Sequence, residues 1–252
     1  MMDDQVTAAG FARGLLDPGL SPRAFGAGSP TGRTSGWAGA GDALRQLGLH
    51  PAAEVREHDL VSVLGGRHTG TGVRVLTEPA FYDLTFTAPN SVSFAWTQLD
   101  AGAQAEIEQA VLASAGLMLT YLTTVAPLVD GMGLPRSFVA ALVLHAVGTR
   151  SDATGPIPPI LHVHSCLFAV QDADGTLLAP HEPALAEEDV QRECDAAAGA
   201  DLGHRLVQLG YRVRNTAGAG TGHSFELDGV PAALLADERF WRNTGCGTAT
   251  DR

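Results

Sequence analysis

Pro158-Pro-Ile-Leu-His-Val-His-Ser-Cys-Leu-Phe168 is the stretch that decides how the rest of the chain is read. Ile, Leu, Val and Phe around a His-x-His predict a buried strand. Side chains alternate along a strand, so His162 and His164 point to one face. Two imidazoles one residue apart on one face suit a divalent ion such as Zn, Mn, Ni, Fe or Mg. They also suit a pair of hydrogen-bonded core histidines, and spacing alone leaves both readings open. Cys166 shares that face. It offers a fourth ligand or, more simply, a packed thiol.

The composition limits what surrounds this strand. The 252 residues are 45% hydrophobic, enough for one well-formed core. No apolar run reaches the length of a membrane span. With no secretory signal and three scattered cysteines, the expected location is a reducing cytoplasm. Net charge is −12, and all sixteen basic residues are arginine. A nucleic-acid binder usually carries a basic surface, so the bulk charge points away from DNA.

Outward from the centre, Ser137 to Val147 is β-branched and apolar and predicts a second buried strand, which carries His145. Asp172-Ala-Asp-Gly175 predicts a turn into a hairpin partner at Thr176–Ala179. Phe81 to Phe86 alternates as a strand, with Phe81, Asp83 and Thr85 on one face and Tyr82, Leu84 and Phe86 on the other. A carboxylate within an apolar strand needs a partner. Asp83 is read either as a salt-bridged or capping residue, or as a general base or acceptor for a histidine N–H.

Helices are expected at Val6–Leu16, Glu54–Leu64, Ala103–Val129 and Glu187–Leu209. The third presents Ile107, Val111, Ser114, Leu117, Tyr121 and Val125 at steps of three and four. The fourth presents Val190, Cys194, Ala198, Leu202 and Leu206, and Gly210 ends it. Trp37 to Leu49 reads as a loop entering a short helix; its Gly39-x-Gly41 is a weak phosphate-loop candidate that follows no convincing strand. Ser91 is a candidate cap for Val92–Trp96. Tyr211–Arg214 and His223–Leu227 predict a closing hairpin. His181, His204 and His223 read as surface or turn residues.

The order of these pieces resembles the relaxase domain of conjugative plasmid transfer, the TrwC/TraI (MobF) group of the HUH endonucleases. Trp37-Ala-Gly-Ala-Gly…Leu-Gly-Leu49 is similar to the family's W-x-G-x-G…LGL. Asp83-Leu-Thr-Phe-Thr-Ala-Pro-Asn-Ser-Val-Ser93 is similar to its DLTFSAPKSVS. His145…Arg150…Asp152…Pro159-Ile-Leu-His-Val-His164 is similar to its H…SR…DPxLHTH, and Asp201-Leu…Leu-Gly-Tyr211 to the segment before its last hairpin. The resemblance implies an α+β fold: a central antiparallel β-sheet flanked by helices, the relaxase-like (HUH) palm. The expected organisation is a variable segment at 1–36, the relaxase-like domain at 37–237 and a frayed tail at 238–252. It also implies a three-histidine metal site of His145, His162 and His164, with Asp83 as the catalytic aspartate beside it.

The departures are as specific. The family's nucleophile is a tyrosine or tyrosine cluster near the N-terminus, and this chain's tyrosines are Tyr82, Tyr121 and Tyr211. Asn90 stands where the motif has lysine. The histidine motif carries an insertion at 153–158, and the extension beyond the last hairpin is short or missing. Three readings follow. The first is a repurposed metalloenzyme, in a biosynthetic pathway for example, whose partner is a small-molecule substrate rather than nucleic acid. The alternative is a remnant or accessory relaxase domain that binds or weakly nicks single-stranded DNA. A metal-free structural protein is the third.

Overall fold

The two apolar runs that carry the histidines form the longest strands, β3 (Ser137–Val147) and β4 (Pro159–Gln171). They pair antiparallel along most of their length, with His145 directly opposite His162. The computed structural model describes residues 4–25, 33–51, 53–129, 133–147, 159–216 and 225–231. Arg150, Asp152, the insertion at 153–158, His223, Cys246 and the expected frayed tail lie outside these.

Two further strands complete the central sheet. β1 (Ser35–Gly39) pairs with β3, and β2 (Tyr82–Thr87) pairs with β4, giving the antiparallel order β1-β3-β4-β2. β5 (Leu177–Leu178) pairs with the last residues of β4 through the turn predicted at Asp172–Gly175. The expected α+β fold, an antiparallel sheet flanked by helices, is the fold observed.

Alternation divides the sheet into two chemically different faces. One turns Leu142, Leu144, Leu161, Val163, Leu167 and Phe86 towards a core closed by α4 (Asn90–Trp96), α5 (Ala101–Val125) and α7 (Glu188–Gln208). The other turns Val139, Val143, Cys166, Phe168 and Trp37 towards a smaller core closed by α1 (Asp4–Leu15), α2 (Gly41–Gln46) and α3 (Glu57–Leu64). The short α6 (Glu182–Leu185) leads into α7, and β6 (Val213–Asn215) and β7 (Phe225–Leu227) form the closing hairpin.

Three local expectations need correction. Ser35–Gly39 is a strand, not a loop. Its glycine-rich sequence hides it, yet Gly39 is required: its φ is +132°, and a Cβ there would lie 1.9 Å from the Phe138 carbonyl oxygen. The glycine serves this close approach between strands rather than a phosphate. On α5 the buried stripe runs through Ile107, Val111, Ser114, Ala115, Met118, Leu119 and Leu122, and Leu117 is exposed. The helix packs on both the sheet and α7, so apolar residues surround much of it and the single-stripe reading drifts after Ser114. Ser91 does not cap α4; its hydroxyl accepts a hydrogen bond from Leu227 N–H at 2.7 Å.

Candidate metal centre

The site is built by three adjacent strands. His145 near the end of β3 and His162 on β4 face each other across the pair, and His164 lies two residues further along β4 on the same face. β2 brings Thr85 opposite His164 and Asp83 opposite Cys166, one diagonal step from His164. A register shift in the β3–β4 ladder lies just beyond His145. Such irregularities re-aim side chains beside functional sites.

The three rings form a triangle with centroid separations of 5.2 Å (His145–His162), 4.7 Å (His145–His164) and 5.1 Å (His162–His164). One ring nitrogen of each lies within 4.8 Å of the others. His145 is buried, and His162 and His164 are partly buried.

Each imidazole also has an acceptor on its outer side. His145 Nε2 donates to the Leu15 carbonyl at 2.7 Å, His162 Nδ1 to the Ile160 carbonyl at 3.1 Å, and His164 Nδ1 to Asp83 Oδ2 at 2.7 Å. A carbonyl or carboxylate only accepts, so each of these nitrogens is the N–H. In a neutral ring the other nitrogen keeps its lone pair. Histidines that hold metals are oriented in this way, by a carboxylate or carbonyl on the far nitrogen.

The surroundings of His145 and His162 favour the neutral ring. Burial, then the nearby His164, pushes His162 down to about 4. Burial is also the main cause that lowers His145; the Leu15 carbonyl opposes it. Neutral imidazole is the form that binds a metal. Asp83 Oδ1 is buried with no hydrogen-bond partner among the described residues, beside an Oδ2 that is fully engaged. An orphaned carboxylate oxygen at the rim of three lone pairs fits a site that takes a cation or a protonated group.

The remaining candidates fall outside this triangle. Cys166 is fully buried, with its thiol pushed well up by burial, and it packs among Val143, Phe168 and Trp37. His204 is exposed beside Gln208, and His181 precedes α6. All three tyrosines pack against the core on the opposite side of the sheet. Sequence reading missed the Leu15 carbonyl. A backbone oxygen leaves no signal in a sequence.

The DLTF…NSVS segment links the site to the fold. Asp83 binds His164, Ser93 Oγ accepts from Leu161 N–H at 3.0 Å, and Ser91 N–H donates to the buried Glu226. Its conspicuous serines fasten α4 to β4 and to the final hairpin.

A family profile described as TrwC relaxase matches residues 28–238. Comparison with curated protein sequences gives no significant match. Among solved structures, the metal-bound conjugative relaxase TrwC in complex with oriT DNA is 23% identical, with a TM-score of 0.63 over 92% of this chain and 74% of that one. TrwC with a mutant oriT DNA is 25% identical, with a TM-score of 0.62 over 88% of this chain and 77% of that one. A metal-free TrwC complex with oriT DNA is 26% identical, with a TM-score of 0.58 over 82% and 72%.

These complexes overturn the expectation of a small-molecule partner in preference to nucleic acid. That expectation rested on the missing N-terminal tyrosine beside the three histidines and on bulk charge, and the charge is unevenly placed along the chain. Residues 1–87, which supply every helix on the histidine face, carry seven arginines against nine acids; residues 88–252 carry nine against nineteen. Local potential, not the chain's total, governs what a surface binds. Among the described residues no helix is long and apolar enough to cross a membrane.

Proposed function

Since the chain belongs to the TrwC relaxase family, we propose that it is a single-stranded-DNA-binding relaxase module whose His145, His162 and His164 hold a divalent ion. The observation that carries this reading is the triangle of imidazoles, each tied through one nitrogen to an acceptor and each with a ring nitrogen within 4.8 Å of the others. The relaxases of similar fold solved with oriT DNA support the choice of ligand.

Three protein ligands leave coordination positions open, and a bound ion there would polarise a phosphodiester oxygen. The chain's own residues do the positioning. Asp83 orients His164 through Oδ2 and presents Oδ1 as a proton acceptor at the site. Tyr82, Tyr121 and Tyr211 all lie across the sheet, so none of them reaches a phosphate bound at the histidines. Strand binding is the activity proposed for these residues.

The test is fluorescence anisotropy with labelled single-stranded and duplex oligonucleotides at low and high salt, with and without added Mn or Zn. Tighter binding of the single strand, weakening steeply as salt rises, is the expected result. No binding at low salt in the presence of metal would remove the DNA assignment.

A further inference from the structure

Of the three outer acceptors, two come from the sheet itself and one does not. Ile160 and Asp83 lie on β4 and β2, whereas the Leu15 carbonyl is the last of α1, some 130 residues from His145 in sequence. The last carbonyls of a helix have no intrahelical partner and carry the negative end of its dipole. His145 supplies the missing donor from a position that is 4% exposed.

The helix is fixed there by packing. Ala12 and Leu15 are buried in the small core, and the Phe11 ring sits 4.7 Å from Phe81, which in turn meets Phe168. The hydrogen bond also separates His145 from the other two histidines. Its N–H is on Nε2, while theirs is on Nδ1.

Building on the metal reading above, we propose that the N-terminal helix is part of the metal centre. Leu15 holds His145 in the Nε2–H form, so His145 offers Nδ1 to the ion while His162 and His164 offer Nε2. Leu15 is thus a positioning residue: it touches neither metal nor substrate and acts only through the ring it orients.

The full-length chain, labelled with 15N-histidine, tests this by long-range 1H–15N correlation, before and after one equivalent of Zn, with His145 assigned from a His145→Ala spectrum. The metal-free protein should show His145 protonated on Nε2 and His162 and His164 on Nδ1. Zinc should then shift Nδ1 of His145 and Nε2 of the other two. Zinc bound to Nε2 of all three rings overturns the proposal and leaves the metal site standing; no zinc binding at all overturns both.

A Leu15→Gln variant gives an independent reading, because a polar side chain in the small core releases α1. Loss of an outer partner typically weakens metal binding by about 10–100-fold, and that loss is expected here. Unchanged affinity in a variant with native circular dichroism overturns the proposal, and if the variant fails to fold the wild-type spectra decide alone.

Discussion

At the scale of single residues, each histidine of the proposed metal site has a hydrogen-bond partner of its own. Asp83→Ala removes the acceptor that orients His164, and metal affinity should fall by about 10–100-fold, as measured by chelator competition. Asp83→Asn keeps an acceptor oxygen and should fall less; equal affinity in all three proteins would mean that Asp83 orients nothing. The lowered values of His145 and His162 set a pH dependence. Their folded values lie below the ordinary 6.5, so the unfolded chain binds more protons as pH falls. The metal-free protein keeps this contribution above pH 6.5 and loses it on descending towards about 4. Melting temperature should therefore drop less between pH 7 and 5 in His162→Asn than in wild type, and parallel profiles would contradict the assignment. Much of this scale was legible in the sequence. Alternation placed His162 and His164 together, and an acid in an apolar strand demanded a partner, which proved to be His164. That His145 leans on a backbone oxygen from another element was not legible, because any residue type carries that oxygen.

At the scale of elements, Ser91 and Ser93 after β2 act as fasteners. Ser91, in the first turn of α4, is fully buried against β7, and its hydroxyl accepts the Leu227 N–H. Ser91→Ala leaves that buried N–H without a partner, at a cost of about 1–3 kcal/mol. Thermal or urea unfolding should show the loss while zinc affinity stays near wild type, since the histidines lie on the opposite face. A simultaneous loss of zinc would show that α4 supports the site more directly. The sequence identified β2, α5 and α7 by a period of 2 or 3.6, and β3 and β4 as apolar runs around the histidines. It missed β1, where Gly36 and Gly39 stand in place of β-branched residues. Pairing with β3 forms that strand in spite of its composition. It also misplaced the face of α5, since a helix covered on two sides has no single stripe to find.

At the scale of the whole molecule, the sheet separates two tasks. The α4, α5 and α7 side supplies the larger core and most of the acidic surplus. The α1, α2 and α3 side comes from residues 1–87, which hold seven arginines against nine acids. This division explains why a chain of net charge −12 belongs to a family whose solved members include DNA complexes. Counting charges along the whole sequence averages over the two sides and hides the difference. If the near-neutral side carries the strand, reversing Arg56 and Arg67 to Glu should weaken single-stranded DNA binding and flatten its salt dependence. Reversing Arg192 on the exposed surface of α7 should change little; the opposite pattern would place the strand on the helical side.

The central claim is that three histidines on one face of a relaxase sheet form a metal centre. Elemental analysis of the purified full-length chain, loaded with Zn or Mn and dialysed, tests it most directly against His145→Ala, His162→Ala, His164→Ala in combination. The account predicts one ion per wild-type chain and none in the triple variant. A wild type that retains no ion, or a triple variant that retains as much, would contradict it.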